Sequence, residues 1–174
     1  ARTQPGSDLM AYLLDANVFI QAKDLHYGLD FCPAFWQWLI ENNQSKIVFS
    51  IEKVGDEINA GADELSEWAA QLNENFFLKP DQAILPALGK VSQWVMQSGY
   101  HPAAASVFLQ VADYYLVAHA VAHKYTVVTH EKAAGGSKKK VKIPDVCIGL
   151  GVKCMTPFEM LRRERARFIL GTKK

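Results

Sequence analysis

Tyr12-Leu13-Leu14-Asp15-Ala16-Asn17-Val18-Phe19-Ile20 is the stretch on which the fold turns. An unbroken apolar run ending in a carboxylate reads as a strand over 10–15 buried on both faces, with a helix starting near Ala16. An unpaired charge at the end of such a strand would cost several kcal/mol or be forced to neutralise, so Asp15 needs a partner. In open parallel sheets ligands bind beyond the carboxyl ends of the strands. The residues that follow each apolar run are therefore the first candidates for chemistry: Asp15, Ser50, and Thr129 to Glu131.

Working outward, Pro33 opens a helix containing Phe35, Trp36, Leu39 and Ile40 that ends in the polar cluster 41–45. Residues 46–50 read as a second strand, 52–60 and 63–73 as helices separated by Gly61, and 76–78 as a short third strand. Helical pattern resumes between Asp81 and Ser98, interrupted at Pro86, and again from about Val111 to Lys124. The β-branched run 125–129 reads as a strand, and 146–148 as the last one. Thr156, Pro157 and Glu159 form a capping box for a final helix. Short apolar strands alternating with helices predict an α/β class, three layers around a mostly parallel sheet of about five strands.

The chain has 174 residues, 49% of them apolar and 21% charged, which excludes intrinsic disorder and suits one domain. No apolar run approaches the roughly 20 residues that cross a bilayer, and the polar opening at 1–8 lacks a signal peptide's apolar centre. The expectation is a cytoplasmic protein with no membrane partner. Cys32, Cys147 and Cys154 show no metal-type spacing and suit reduced thiols. The formal net charge of +1 hides an asymmetry: residues 1–130 carry 7 basic and 14 acidic side chains, residues 131–174 carry 12 and 4. An acidic body with a basic end points to polyanion contacts at one place and cations at another.

Three carboxylates stand where apolar or neutral residues are expected. Asp113 shares a helical stripe with Leu116, Val117, Ala120 and Val121, near a helix N-terminus that favours negative charge. Glu57 lies between Val54 and Ile58 on what reads as an inward face, whereas Asp56 points elsewhere. With Asp15 they make a set of hard oxygen donors, and no arginine lies between residues 3 and 161 to neutralise them. A divalent cation, Mg²⁺ or Mn²⁺, fits such a set.

The pattern resembles PIN-domain nucleases, near the VapC-like bacterial toxins. Four blocks carry the resemblance in order: Tyr12 to Ile20, with Asp15 and Asn17; Ser50 followed by a helix bearing Glu57; Ala112-Asp113 opening an Ala- and Leu-rich helix; and Val127-Val128-Thr129-His130-Glu131. It covers about residues 10–148 of a single PIN-like domain over 1–174, with 156–170 as a basic C-terminal helix. Glu131 stands where the family carries Asp, and Asp145 is the other candidate for the fourth acid.

The resemblance implies a metal-dependent endoribonuclease, the toxin of a toxin–antitoxin pair, leaving a 5′-phosphate and a 3′-hydroxyl. Asp15, Glu57 and Asp113 would hold Mg²⁺ or Mn²⁺, and Glu131 would complete the catalytic acids, positioning a second ion or the attacking water. Asn17, Ser50 and Thr129 would support them, and Lys138, Lys139, Lys140 and Lys142 would hold the RNA backbone. Arg162, Arg163, Arg165 and Arg167 suit RNA or an acidic antitoxin segment equally. A cognate antitoxin and a homodimer are the implied partners besides RNA. The competing reading is a non-catalytic PIN-like binding module whose acidic pocket takes a partner's basic side chain. DNA cleavage is disfavoured, since the helical arch of flap-type enzymes is missing.

His119 and His123 have zinc-pair spacing but no catalytic Glu between them and read as a solvated or half-buried pair, and His130 neighbours the proposed site. The aromatics Phe35, Trp36, Trp38, Trp68 and Trp94 read as core or dimer surface rather than a base-stacking platform.

Overall fold

The computed structural model describes residues 10–171, so the polar opening at 1–8 lies outside the described residues. Tyr12–Leu14 form β1, with all three side chains fully buried. The chain continues through α1 (Ala16–Gln21), a π-helical turn (Ala22–His26), α2 (Pro33–Gln44), β2 (Val48–Ile51), α3 (Glu52–Ala60), α4 (Glu64–Ala69) and β3 (Phe77–Leu78). It then forms α5 (Ile84–Gln97), α6 (Pro102–Phe108), α7 (Ala112–His123), β4 (Thr126–Val128), α8 (Ile143–Leu150), β5 (Cys154–Met155) and α9 (Pro157–Arg163).

The five strands make one sheet in the order β3-β2-β1-β4-β5, every pair parallel. With helices on both faces this is the expected three-layer, PIN-like α/β architecture. β1 is central because its side chains are apolar on both faces, and the strand order reverses between β1 and β4. That reversal opens a crevice at the carboxyl ends of the two strands, where Asp15 follows β1 and Thr129 follows β4. Backbone bonds continue past both ends, Asp15 N–H to Val128 O at 3.0 Å and Thr129 N–H to Met155 O at 3.0 Å, which fixes the crevice walls.

Residues 146–148 are not a strand but the middle of α8: Ile143, Val146, Cys147 and Leu150 recur at helical spacing, and Pro144 sits in the first turn. A short apolar run carries too few residues to separate the two periodicities. The last strand is instead β5. α6 was not anticipated, although Pro102 at its first position is a start signal. α5 runs through Pro86, which stands in the first turn where an N–H has no intrahelical acceptor to lose. The helix expected over 63–73 is confined to α4, where Asp63 accepts from the N–H groups of Leu65 and Ser66. The C-terminal helix is Pro157–Arg163 rather than 156–170, and the chain leaves it through Arg165 at φ 54°. Its capping box is present as expected, with both Thr156–Glu159 bonds made.

The core also extends beyond 148. Met160 and Leu161 are buried, Phe168 packs on Tyr27 and Phe35, and Tyr12 donates to Glu164 Oε1 at 2.5 Å. Phe35, Trp36 and Trp68 are buried, and Trp38 and Trp94 are half-buried, so these aromatics are core. Trp94 packs so closely on Gly149 that a Cβ there would lie 2.1 Å from its ring. Among the described residues no single helix is long and apolar enough to cross a membrane.

Candidate functional site

Asp15, the residue that ends the central strand, is 5% exposed. Its Oδ2 accepts a 2.8 Å bond from the Thr129 hydroxyl. That hydroxyl accepts in turn from Asn17 Nδ2 at 3.1 Å and from the Glu131 N–H at 3.0 Å. Asn17 Oδ1 accepts the His130 N–H at 3.1 Å, so one amide side chain spans the ends of β1 and β4. Asp15, Asn17 and Thr129 thus form one network across the crevice. Ser50, also expected to support the acids, is fully buried and donates to Leu14 O at 2.6 Å. It braces the backbone that presents Asp15 and does not touch the carboxylate.

The acids repel one another. Burial, then the charge of Asp113, pushes Asp15 up to about 7, with Glu131 adding to the rise and the Thr129 hydroxyl opposing it. Burial, then Glu131 and Glu57, pushes Asp113 up to about 6, while Lys140 and Lys142 pull the other way. Asp15, Asp113 and Glu131 are therefore the electrostatic centre. Asp113 stands at the second position of α7, behind a Val111 N-cap that makes no side-chain bond, so it is not a capping residue.

Glu57 departs from the sequence reading. α3 buries Val54, Gly55 and Ile58, which leaves Glu57 exposed beside Asp56. With Asp113, Lys53 and Lys140 it lines an open groove that leads to the acids. Among the described residues no three His, Cys, Asp or Glu side chains are placed to hold one metal ion. The expected cage of Asp15, Glu57 and Asp113 is thus not preassembled: Glu57 sits on the outer wall, and Asp15 is turned toward Thr129.

The two candidates for the fourth acid differ in position. Glu131 Oε2 accepts the Ile143 N–H at 2.9 Å and its Oε1 meets Lys142 Nζ at 3.3 Å, so it caps α8 while facing Asp113 and Asp15. Its extra methylene relative to Asp gives it that reach. Asp145 instead accepts the Ala134 N–H at 2.8 Å and closes the base of the basic loop. Gly135 and Gly136, at φ 60° and 88°, supply the left-handed turn of that loop.

The four lysines divide. Lys142 pairs with Glu131, and Lys139 and Lys140 line the wall beside Asp113. Lys138 turns away, its Nζ 4.7 Å from the Tyr100 ring centre. Lys53 was missed by the sequence reading, as a lone lysine at a helix start carries no signal. His119 is buried at 2% exposure, not solvated, and burial holds it down to about 4. His123 pairs with Asp81 at 2.8 Å, which leaves no zinc pair.

A family model described as a domain of unknown function (DUF4411) matches residues 12–168. The chain belongs to the DUF4411 family. No curated protein matches it. The matched range of the DUF4411 domain runs from the first residue of β1 through Phe168, and so takes in the acids, the basic loop and α9 alike.

Proposed function

We propose that the chain is a divalent-metal-dependent endoribonuclease of PIN-like type, acting in the cytoplasm as the toxin of a toxin–antitoxin pair. The observation that carries this reading is the coupled set Asp15, Asp113 and Glu131 at the strand-order reversal, with Lys140 and Lys142 reaching its rim. Burial and mutual repulsion raise these carboxyls to about 7 and about 6, so their charged forms lack full compensation and a cation would be favoured there.

Mg²⁺ or Mn²⁺ fits this donor set. Mg²⁺ is commonly bound by one or two carboxylates together with waters and substrate phosphates, so a preassembled cage of three acids is not required. Asp15 and Asp113 would hold the ion, with Glu131 and Glu57 adding negative charge. When bound, the ion supplies Lewis-acid polarisation of a phosphoryl oxygen and neutralisation of developing charge. Thr129 and Asn17 fix the Asp15 rotamer. Glu131 holds the start of α8, and with it Lys142, at the rim. Lys53, Lys139 and Lys140 line the approach and suit the sugar–phosphate backbone.

Purified protein incubated with structured RNA is expected to cleave it in Mn²⁺ and to stop in EDTA, leaving 5′-phosphate ends. Activity that persists in EDTA contradicts the proposal. One observation favours a second reading, a binding module without catalysis. Lysines of this chain already face the acids, as a partner's basic side chain would. That reading predicts tight capture of a basic peptide, such as an antitoxin tail, and no cleavage with any divalent ion.

A further inference from the structure

Beyond the acids, the carboxyl edge of the sheet carries a group of rings that the proposed chemistry does not use. His26, in the exposed π-helical turn, lies 5.5 Å from the His130 ring and 5.1 Å from Phe158, which it meets edge to face. His130 and Phe158 are 5.6 Å apart, both half-buried. Three rings from three separate elements therefore meet at the surface: the π-helical turn, the end of β4 and the first turn of α9. The spacings are those of rings already in contact, so the group offers an outer face and not a slot between rings.

The group is braced by the core and tied to the acids. Tyr27, next to His26, stacks on core Phe35 at 4.5 Å and 17°. The His130 N–H is held by Asn17, whose amide also holds the Thr129 hydroxyl that bonds Asp15. Arg162 of α9 lies close enough to Tyr27 for its charge to be felt there. An exposed ring beside two half-buried ones, a neighbouring guanidinium and a short path to the acid site with its lysine rim together match one ligand chemistry. A nucleobase stacks on a ring face whatever its sequence, and its phosphate pairs with the cation.

We propose that His26, His130 and Phe158 form a stacking platform for an unpaired nucleobase of the RNA whose backbone enters the acid site. The assignment rests on the nuclease reading for the identity of the polymer. It makes the substrate single-stranded at this point, since a paired base has no free face to offer.

The test is fluorescence anisotropy of the full chain with a labelled single-stranded RNA of about eight nucleotides and with a duplex of equal length, in EDTA and low salt. Phe158→Ala and the exposed His26→Ala are each expected to weaken single-strand binding by roughly fivefold or more, to leave duplex binding within about twofold, and to melt near the wild type. Phe158→Tyr keeps the ring and is expected to bind as the wild type does. Unchanged single-strand affinity in both alanine variants, equal losses on strand and duplex, or a wild type that binds no single strand would each overturn the platform. The two claims separate cleanly. Mn²⁺-dependent cleavage with ring variants of unaltered affinity leaves the nuclease and removes the platform. Ring-dependent affinity without cleavage does the reverse.

Discussion

Asp15→Asn is expected to lower metal-dependent RNA hydrolysis about a thousandfold, because a bound ion contributes several kcal/mol of charge stabilisation and each 1.36 kcal/mol is a factor of ten in rate. The same substitution is expected to make the metal-free protein more stable. Asp15 is 5% exposed and raised to about 7 in the folded chain, so above that pH folding must bury a charge beside Asp113 and Glu131. In the unfolded chain it titrates near 3.9. Between these values the folded state binds the extra proton, so wild-type stability falls as pH rises from about 4 to 7 and is flat above. Asparagine keeps an oxygen to accept the Thr129 hydroxyl and removes the charge. The relief is on the order of 2–4 kcal/mol at pH 8, which would raise Tm by roughly 5 °C or more. Thermal scans at pH 5 and pH 8 in EDTA check it: the variant's advantage should be full at pH 8 and fall to about a third of that at pH 5. A variant less stable than wild type at pH 8 would mean that Asp15 already has a cationic partner.

The second large effect concerns Glu131. Alanine there strands the Ile143 N–H at the start of α8 and frees Lys142, a loss of about 1–2 kcal/mol by analogy with helix caps. Cleavage should fall at least about tenfold, because the rim lysine and a site carboxylate go together. Glu131→Gln retains acceptor oxygen for Ile143 and is expected to fold normally while still losing activity. Asp145→Ala should open the loop base with less than about a threefold change in rate, since among the described residues the hydrogen bond of that carboxylate goes to Ala134 and not to the acids. Rates measured side by side decide it: a larger loss at Asp145 than at Glu131 would reassign the fourth acid.

Most of this architecture could be read from the chain because its signals are local and strong. The apolar run into Asp15, the β-branched run before Thr129 and the Thr156 capping box each give one answer. α8 was misread because Val146-Cys147-Ile148 is apolar at every position, and only the packing of Ile143 and Leu150 reveals helical spacing. Asp15 and Thr129 do follow β1 and β4, because strand ends are well located by sequence. Glu57 does not lie on the inward face, because one residue of rotation around α3 separates a wall from a core. The capping role of Glu131 and the ring group of His26, His130 and Phe158 depend on contacts between segments far apart in the chain, for which a single sequence has no signal.

The most direct measurement of the central claim is anomalous density from a crystal soaked in Mn²⁺. The account predicts a peak between the carboxylates of Asp15 and Asp113, on the side facing Glu131, that disappears in Asp15→Asn. A wild-type crystal with no peak there, or with the ion bound elsewhere while RNA is still cleaved, would contradict it.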